Sequence, residues 1–176
     1  MKTIYTILSM TACLYLTSCT DSSQPPTSLA AGASDVLTKT FAAVQEAPIS
    51  ILKARESAKP GQNVTLKGVV MGSKNPFVDG RAAFILGDPD KLTSCNLKPD
   101  DQCATPWDVC CETPEDIKAS IVTIQVVDAN GKVLREPIRN VNGLKALSTV
   151  VVNGTVTDTS NADLLVLNAK SIEVKD

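Results

Sequence analysis

The sequence predicts an all-β domain with small helical elements: a five-stranded barrel carrying a cysteine-rich insertion between its second and third strands. Three observations predict it. The runs 64–70, 82–86, 121–127, 148–156 and 164–174 are short and rich in Val, Ile, Leu and Thr, and in the clearest of them apolar side chains fall on alternate positions. Clusters of Gly, Pro, Asn and Asp separate these runs, as turns require. The stretch 95–112, CNLKPDDQCATPWDVCCE, packs four of the six cysteines and the only Trp, Trp107, into one turn-rich segment with strand-like sequence on both sides.

The chain begins with Met1-Lys2 and an apolar run over 4–16. This is the charged start and short hydrophobic region of a secretory leader, below the roughly 20 apolar residues that cross a bilayer. The run ends in Leu16-Thr17-Ser18-Cys19, which resembles the bacterial lipobox. That resemblance implies a signal peptide over 1–18 and acylation of Cys19, by palmitate-type chains, as the new N-terminus. Each buried CH₂ contributes about 0.8 kcal/mol, so acyl chains alone would hold the protein on the cell-envelope membrane without a spanning helix. Thr20 after the cysteine favours the outer membrane by the same resemblance, in the periplasm-facing setting of exported lipoproteins. The remainder of 19–34 is small, polar and Pro-containing, and reads as a flexible tether.

An N-terminal helical and extended segment is expected over 35–60. Val36, Leu37, Thr40, Phe41 and Val44 have helix-like spacing within 35–46, with Ser34 as N-cap. Pro48 ends that element. A short strand over 49–52 and a helical turn over 53–59, stopped by Pro60-Gly61, follow.

The barrel domain is placed at 61–176, with the insertion at 89–117. GSKNPFVDG, 72–80, joins the first two strands as a hairpin; DANG, 128–131, turns the third strand, whose pairing continues in 132–134; 143–147 is helix-compatible; and 158–163 is a polar turn. The expected core is Leu66, Val70, Phe84, Ile124, Val126, Val150, Val152, Val166 and Ile172. Strand, strand, insertion, strand, short helix, strand, strand resembles the OB-fold, a five-stranded Greek-key barrel. Gly68 and Gly154 strengthen the resemblance, since mid-strand glycines let a small barrel bend sharply. The pieces NPFVDGRAAFILGD and DDQCATPWDVCCE also resemble a family of uncharacterised lipoproteins from planctomycete-like bacteria, which implies the fold and the address and no activity.

Composition removes several functions. There is no His, which excludes a Ser-His-Asp or Cys-His catalytic group, a His-containing zinc site and a His-ligated haem. No cofactor is expected, and no catalytic motif is present. The formal net charge of −2 becomes −3 once Lys2 leaves with the leader, and neither sign forms a long block. Phe41, Phe77, Phe84 and Trp107 are the only aromatics beyond the leader. Both facts disfavour nucleic acid, which single-strand binders hold with a basic groove and stacked aromatics.

With Cys13 in the leader and Cys19 acylated, Cys95, Cys103, Cys110 and Cys111 form an even set in an oxidising compartment, and two disulfides are expected. Adjacent Cα atoms lie about 3.80 Å apart, too close for a Cys110–Cys111 bond, so each should pair with Cys95 or Cys103. A four-thiolate metal site is the alternative, disfavoured because Cys-x2-Cys knuckles are missing. The carboxylates Asp100, Asp101, Asp108, Glu112, Glu115 and Asp116 read as loop charges and caps before they read as an acid and base pair, and Asp88, Asp90, Asp100 and Asp101 lack the calcium-loop pattern. OB-folds bind ligands on the second and third strands and the adjoining loops, here 73–80 and 158–163. Phe77, Arg81 and Trp107 are the candidate ligand patch. The functional expectation is a lipid-anchored, non-catalytic module that binds a protein or an envelope glycan. Single-stranded nucleic acid or nucleotide binding and a carboxylate-based hydrolase are the alternatives.

Overall fold

The structure is a computed structural model that describes residues 33–99 and 102–175. The leader, Cys19 and the tether through residue 32 lie outside the described residues, as do Asp100 and Asp101.

Five strands close into a barrel: β1 (Asn63–Val69), β2 (Ala83–Gly87), β3 (Ile121–Gln125), β4 (Thr149–Val156) and β5 (Val166–Lys175), in the order β1-β2-β3-β5-β4 with β4 returning to β1. Only β3 and β5 run parallel. The expected all-β, OB-like barrel with its cysteines between the second and third strands is therefore what the chain forms. Alternation explains which side chains fill it. Leu66, Val70, Phe84, Leu86, Val122, Ile124, Val150, Val152 and Ile172 are buried in one cluster, and burying each such side chain contributes about 1.5–3 kcal/mol.

Gly68 and Gly154 sit where a side chain has no room. A Cβ on Gly68 would lie 2.7 Å from the Gly87 carbonyl oxygen and from Leu86 Cγ, and one on Gly154 would lie 2.6 Å from the Asn168 carbonyl oxygen. Beside Gly154 the β4–β5 register shifts: Asn153 faces Ser171 while Gly154 faces Ala169, so Lys170 is an extra residue in β5. This bulge reverses the alternation along β5. Leu165 and Leu167 therefore enter the core at one end and Ile172 at the other. Val166, expected beside Ile172 in the core, is buried but outside that cluster, because period-two counting cannot anticipate the extra residue.

The link between the first two strands also departs from a plain hairpin. Residues 76–78 turn back onto β2, through Val78 N–H to the Ala83 carbonyl (3.0 Å) and Ile85 N–H to the Pro76 carbonyl (2.7 Å). They occupy the edge of β2, and β1 meets β2 only at Val69 and Gly87. Past β3, Val127 bridges Val133 across the 128–131 turn, as the sequence suggested.

The N-terminal segment packs on the barrel. Helix α1 (Asp35–Thr40) is capped by Ser34, whose Oγ accepts from Leu37 N–H, and it ends six residues early. Phe41 leaves helical geometry to bridge Ile172, and Ala42 N–H donates to the Ile172 carbonyl at 3.1 Å. The offer of a partner at the β5 backbone outweighs helical spacing there. The expected strand over 49–52 shrinks to one bridge, Ile49 to Leu66, and helix α2 (Ile51–Ser57) starts behind the Ser50 cap. Leu37, Ile51 and Ala54 have no exposed surface and belong to the barrel core.

A third helix, α3 (Pro114–Ser120), enters β3 directly; Thr113 caps its start by accepting from Asp116 N–H, and its hydroxyl donates to the Asp116 carboxylate. The helix expected over 143–147 is absent. A 3₁₀ turn over Val141–Gly143 takes its place, and Asn140, Asn142 and Leu147 have φ of 69°, 47° and 68°. Leu144 alone of that stretch is fully buried.

Candidate functional site

Two places on the molecule gather chemistry. The first is a groove of about 490 Å³ on the outer face of β2 and β3. Phe84, Leu86, Val122 and Ile124 point into the barrel, which leaves Ala83, Thr123 and Gln125 on the outside as the groove floor. Val78 and Arg81 come from the 76–81 return. Lys132, Val133 and Arg135 come from the hairpin after β3.

The walls are tied to the floor by backbone bonds. Ala82 N–H donates to the Leu134 carbonyl at 3.0 Å, and Leu134 N–H to the Val126 carbonyl at 3.0 Å. Gln125 Nε2 donates to Asn168 Oδ1 at 2.7 Å, which fixes its amide. Asp128 holds the hairpin turn by accepting from the Asn130 and Lys132 N–H groups, at 2.8 and 3.0 Å. The Lys132 N–H bond is the main reason its carboxyl titrates below the usual range, with the Asn130 bonds and the Lys132 charge adding to it.

Arg81, Lys132 and Arg135 are all exposed, and no carboxylate lines the groove with them. None of the three takes part in an ion pair among the described residues. The site is thus a short basic groove with an apolar and amide-bearing floor and no aromatic side chain.

Of the expected patch, the groove takes Arg81 alone. Phe77 is buried at the barrel end against Phe84, ring centroids 6.3 Å apart, and the Arg139 guanidinium lies 5.7 Å from its centroid. Trp107 stays on the cysteine loop, where its Nε1–H donates to the Lys74 carbonyl at 3.0 Å. The 158–163 loop lines a different groove with Arg55, which donates to the Ala162 carbonyl. Lys132, Arg135, Thr123 and Gln125 were missed. Fifty residues of chain separate Arg81 from Lys132, and only the strand pairing brings them together.

The second place is the cysteine loop. It rests on a small apolar cluster of Met71, Leu92 and Val109, with Val69, Ile117 and Ile121 beside it. Cys95 opens a 3₁₀ turn (Cys95–Leu97) and is buried; its N–H donates to the Asp108 carbonyl at 2.8 Å, and Asn96 N–H donates to the Pro106 carbonyl at 2.9 Å. These bonds bring the 95 and 110 ends of the loop side by side. The Sγ of Cys110 lies 3.7 Å from that of Cys95 and 3.6 Å from that of Cys103.

The two expected disulfides do not both form, since together they need Cys110 bonded to Cys95 or Cys103, and Cys110 lies well beyond the about 2.05 Å of a bond from each. Cys110 stands between two sulfurs and can bond to only one of them. Cys111 is not part of this three-sulfur group. Lys98 pairs with Glu112 at 3.0 Å across the loop, and this bond, with the charges of Glu112, Cys111 and Cys95, raises the Lys98 ammonium above its ordinary range.

Four of the carboxylates singled out by sequence, Asp88, Asp108, Glu112 and Asp116, have structural partners. Asp88 is buried and accepts from Leu52 N–H at the start of α2 and from Asp90 N–H. Asp108 accepts from Val109 N–H, Asp116 accepts from the hydroxyl of Thr113, and Glu112 holds Lys98. Among the described residues, Cys95, Cys103 and Cys110 form the one group of three or more Cys, Asp or Glu side chains placed closely enough to hold a metal ion. No helix among the described residues is long and apolar enough to cross a membrane.

No protein-family model, curated protein or solved structure matches this chain.

Proposed function

We propose that this chain is a non-catalytic binding module, held at the cell-envelope membrane through acylated Cys19, whose β2–β3 groove takes acidic groups of an envelope glycan. The observation that carries the reading is the convergence of Arg81, Lys132 and Arg135 over Thr123 and Gln125 with no carboxylate among them. Guanidinium groups bind carboxylate or sulfate oxygens in pairs, while amide and hydroxyl groups exchange hydrogen bonds with sugar hydroxyls. A peptide would be the expected ligand if a sheet edge were free for strand addition, but the barrel is closed. Single-stranded nucleic acid needs stacking faces, and the groove contains none. The lipobox over residues 16–19 supports the anchor, and the tether would give the domain reach from the membrane.

The test is binding of the detergent-solubilised full chain to uronic-acid oligosaccharides, an acidic peptide and a single-stranded oligonucleotide at moderate salt. Saturable binding of the oligosaccharide, weakened roughly tenfold by Arg81→Ala or Arg135→Ala as the loss of a hydrogen bond to a charged group predicts, supports the reading. Tighter binding of the oligonucleotide or peptide through the same arginines overturns the choice of glycan, and binding indifferent to both overturns the groove.

A further inference from the structure

We propose that Cys95, Cys103 and Cys110 form a thiolate site for a thiophilic d¹⁰ metal ion, of which Zn(II) is the representative. The three sulfurs lie within 4.8 Å of one another, at 3.7 and 3.6 Å for the two pairs that include Cys110. A tetrahedral ion with metal–sulfur bonds of about 2.3 Å places its sulfurs about 3.8 Å apart. The observed spacing therefore matches the edges of a thiolate coordination shell. It exceeds a disulfide by more than 1.5 Å, and it involves one sulfur more than a disulfide uses.

Backbone bonds and packing hold the ends of the loop that sets this spacing. Cys95 is fixed by its N–H bond to Asp108 and by the Lys98 N–H that donates to its own carbonyl at 3.0 Å. Val109, next to Cys110, is buried beside Met71 and Leu92. Trp107 ties the same stretch to Lys74. Cys95 is buried, Cys103 half-buried and Cys110 exposed, so the group opens to solvent on one side, where water would complete four-coordination.

Thiolates without imidazole select soft or borderline ions such as Cu(I) and Zn(II) over calcium or magnesium. On binding, three S–H bonds give way to three metal–sulfur bonds and three protons pass to solvent. For a divalent ion the site then carries one net negative charge.

The proposal is independent of the groove, and Cys111 makes it decidable. Two disulfides need all four cysteines, whereas the thiolate site needs three and omits Cys111. The full chain, reduced and stripped with a chelator, is loaded with Zn(II), and bound zinc per chain is measured, with Co(II) as a second probe for sulfur-to-metal charge transfer. One ion per chain is expected, lost in Cys103→Ser and in Cys110→Ser and retained in Cys111→Ser. Cys103 and Cys110 are the informative variants because neither is buried, and far-ultraviolet circular dichroism confirms that each still forms the barrel. A folded, reduced wild type that binds no zinc and shows no charge-transfer band overturns the proposal. So does loss of the ion in Cys111→Ser equal to that in Cys110→Ser.

Discussion

Phe84 and Cys95 are both completely buried, yet they are held in different ways. Phe84 sits in a strand paired to Ile124 on one side and bridged to Phe77 on the other, inside a cluster that draws on all five strands and two helices. Cys95 sits in a 3₁₀ turn whose neighbours are two backbone bonds to residues 106 and 108 and a satellite cluster of three buried side chains. The barrel is thus a cooperative unit and the cysteine loop a local one, and local units open at lower free energy than the whole. The difference also separates what they present: the closed barrel supplies the floor of the groove, while the loop brings three sulfurs together at the surface.

The largest expected effect tests the cooperative half. Phe84→Ala removes the ring that packs on Phe77 under Arg139, and a core truncation of this kind costs about 3–5 kcal/mol. Thermal unfolding should shift as one transition, with the groove and the cysteine loop lost together. A variant that keeps its midpoint while losing only the 76–81 return would show the barrel to be less cooperative than its packing implies.

A smaller effect tests the local half. Trp107→Phe keeps the apolar face but deletes the indole N–H donated to the Lys74 carbonyl, a bond worth about 1 kcal/mol net. Limited proteolysis should cut faster within residues 95–112, while the unfolding midpoint of the barrel stays within about a degree or two, as expected when little global stability changes. A midpoint shift as large as that of Phe84→Ala would mean that the loop and barrel unfold as one.

The same division governs what was legible in the sequence. Barrel strands announce themselves through alternation, and Gly68 and Gly154 announce the bends, so the five strands and nearly all of the expected core fall where they were placed. What alternation misses is a single extra residue: Lys170 in the bulge moves Leu167 into the core in place of Val166. Local propensity also yields to tertiary partners. Helical spacing at 41–46 loses to the β5 backbone, and Leu144 and Leu147 serve a turn with left-handed residues instead of a helix. The candidate site was half visible. Arg81, expected in a patch with Phe77 and Trp107, lines the groove without either of them, and its basic neighbours come from a hairpin fifty residues on. The cysteines were expected as two disulfides, and the convergence of Cys95, Cys103 and Cys110 as a trio depends on backbone bonds that spacing does not encode.

The smallest effect uses pH to open the two regions from opposite ends. Asp128, at the groove hairpin, has its carboxyl held low chiefly by the Lys132 N–H. A folded value below the unfolded one contributes stability above the unfolded value of about 3.9 and loses it as pH falls through the folded value. Lys98, in the cysteine loop, is raised chiefly by its hydrogen bond to Glu112. A raised cation contributes fully below its unfolded value of about 10.4 and loses that contribution as pH climbs through the folded value. Acid below about pH 4 should therefore speed amide exchange in residues 128–134, and alkali above about pH 10 should speed it in 95–112, each relative to the intrinsic exchange rate at that pH. Asp128→Asn should flatten the acid response alone and Glu112→Gln the alkaline one alone. If either substitution flattens both, the hairpin and the loop share one opening, and the separation of barrel from loop fails.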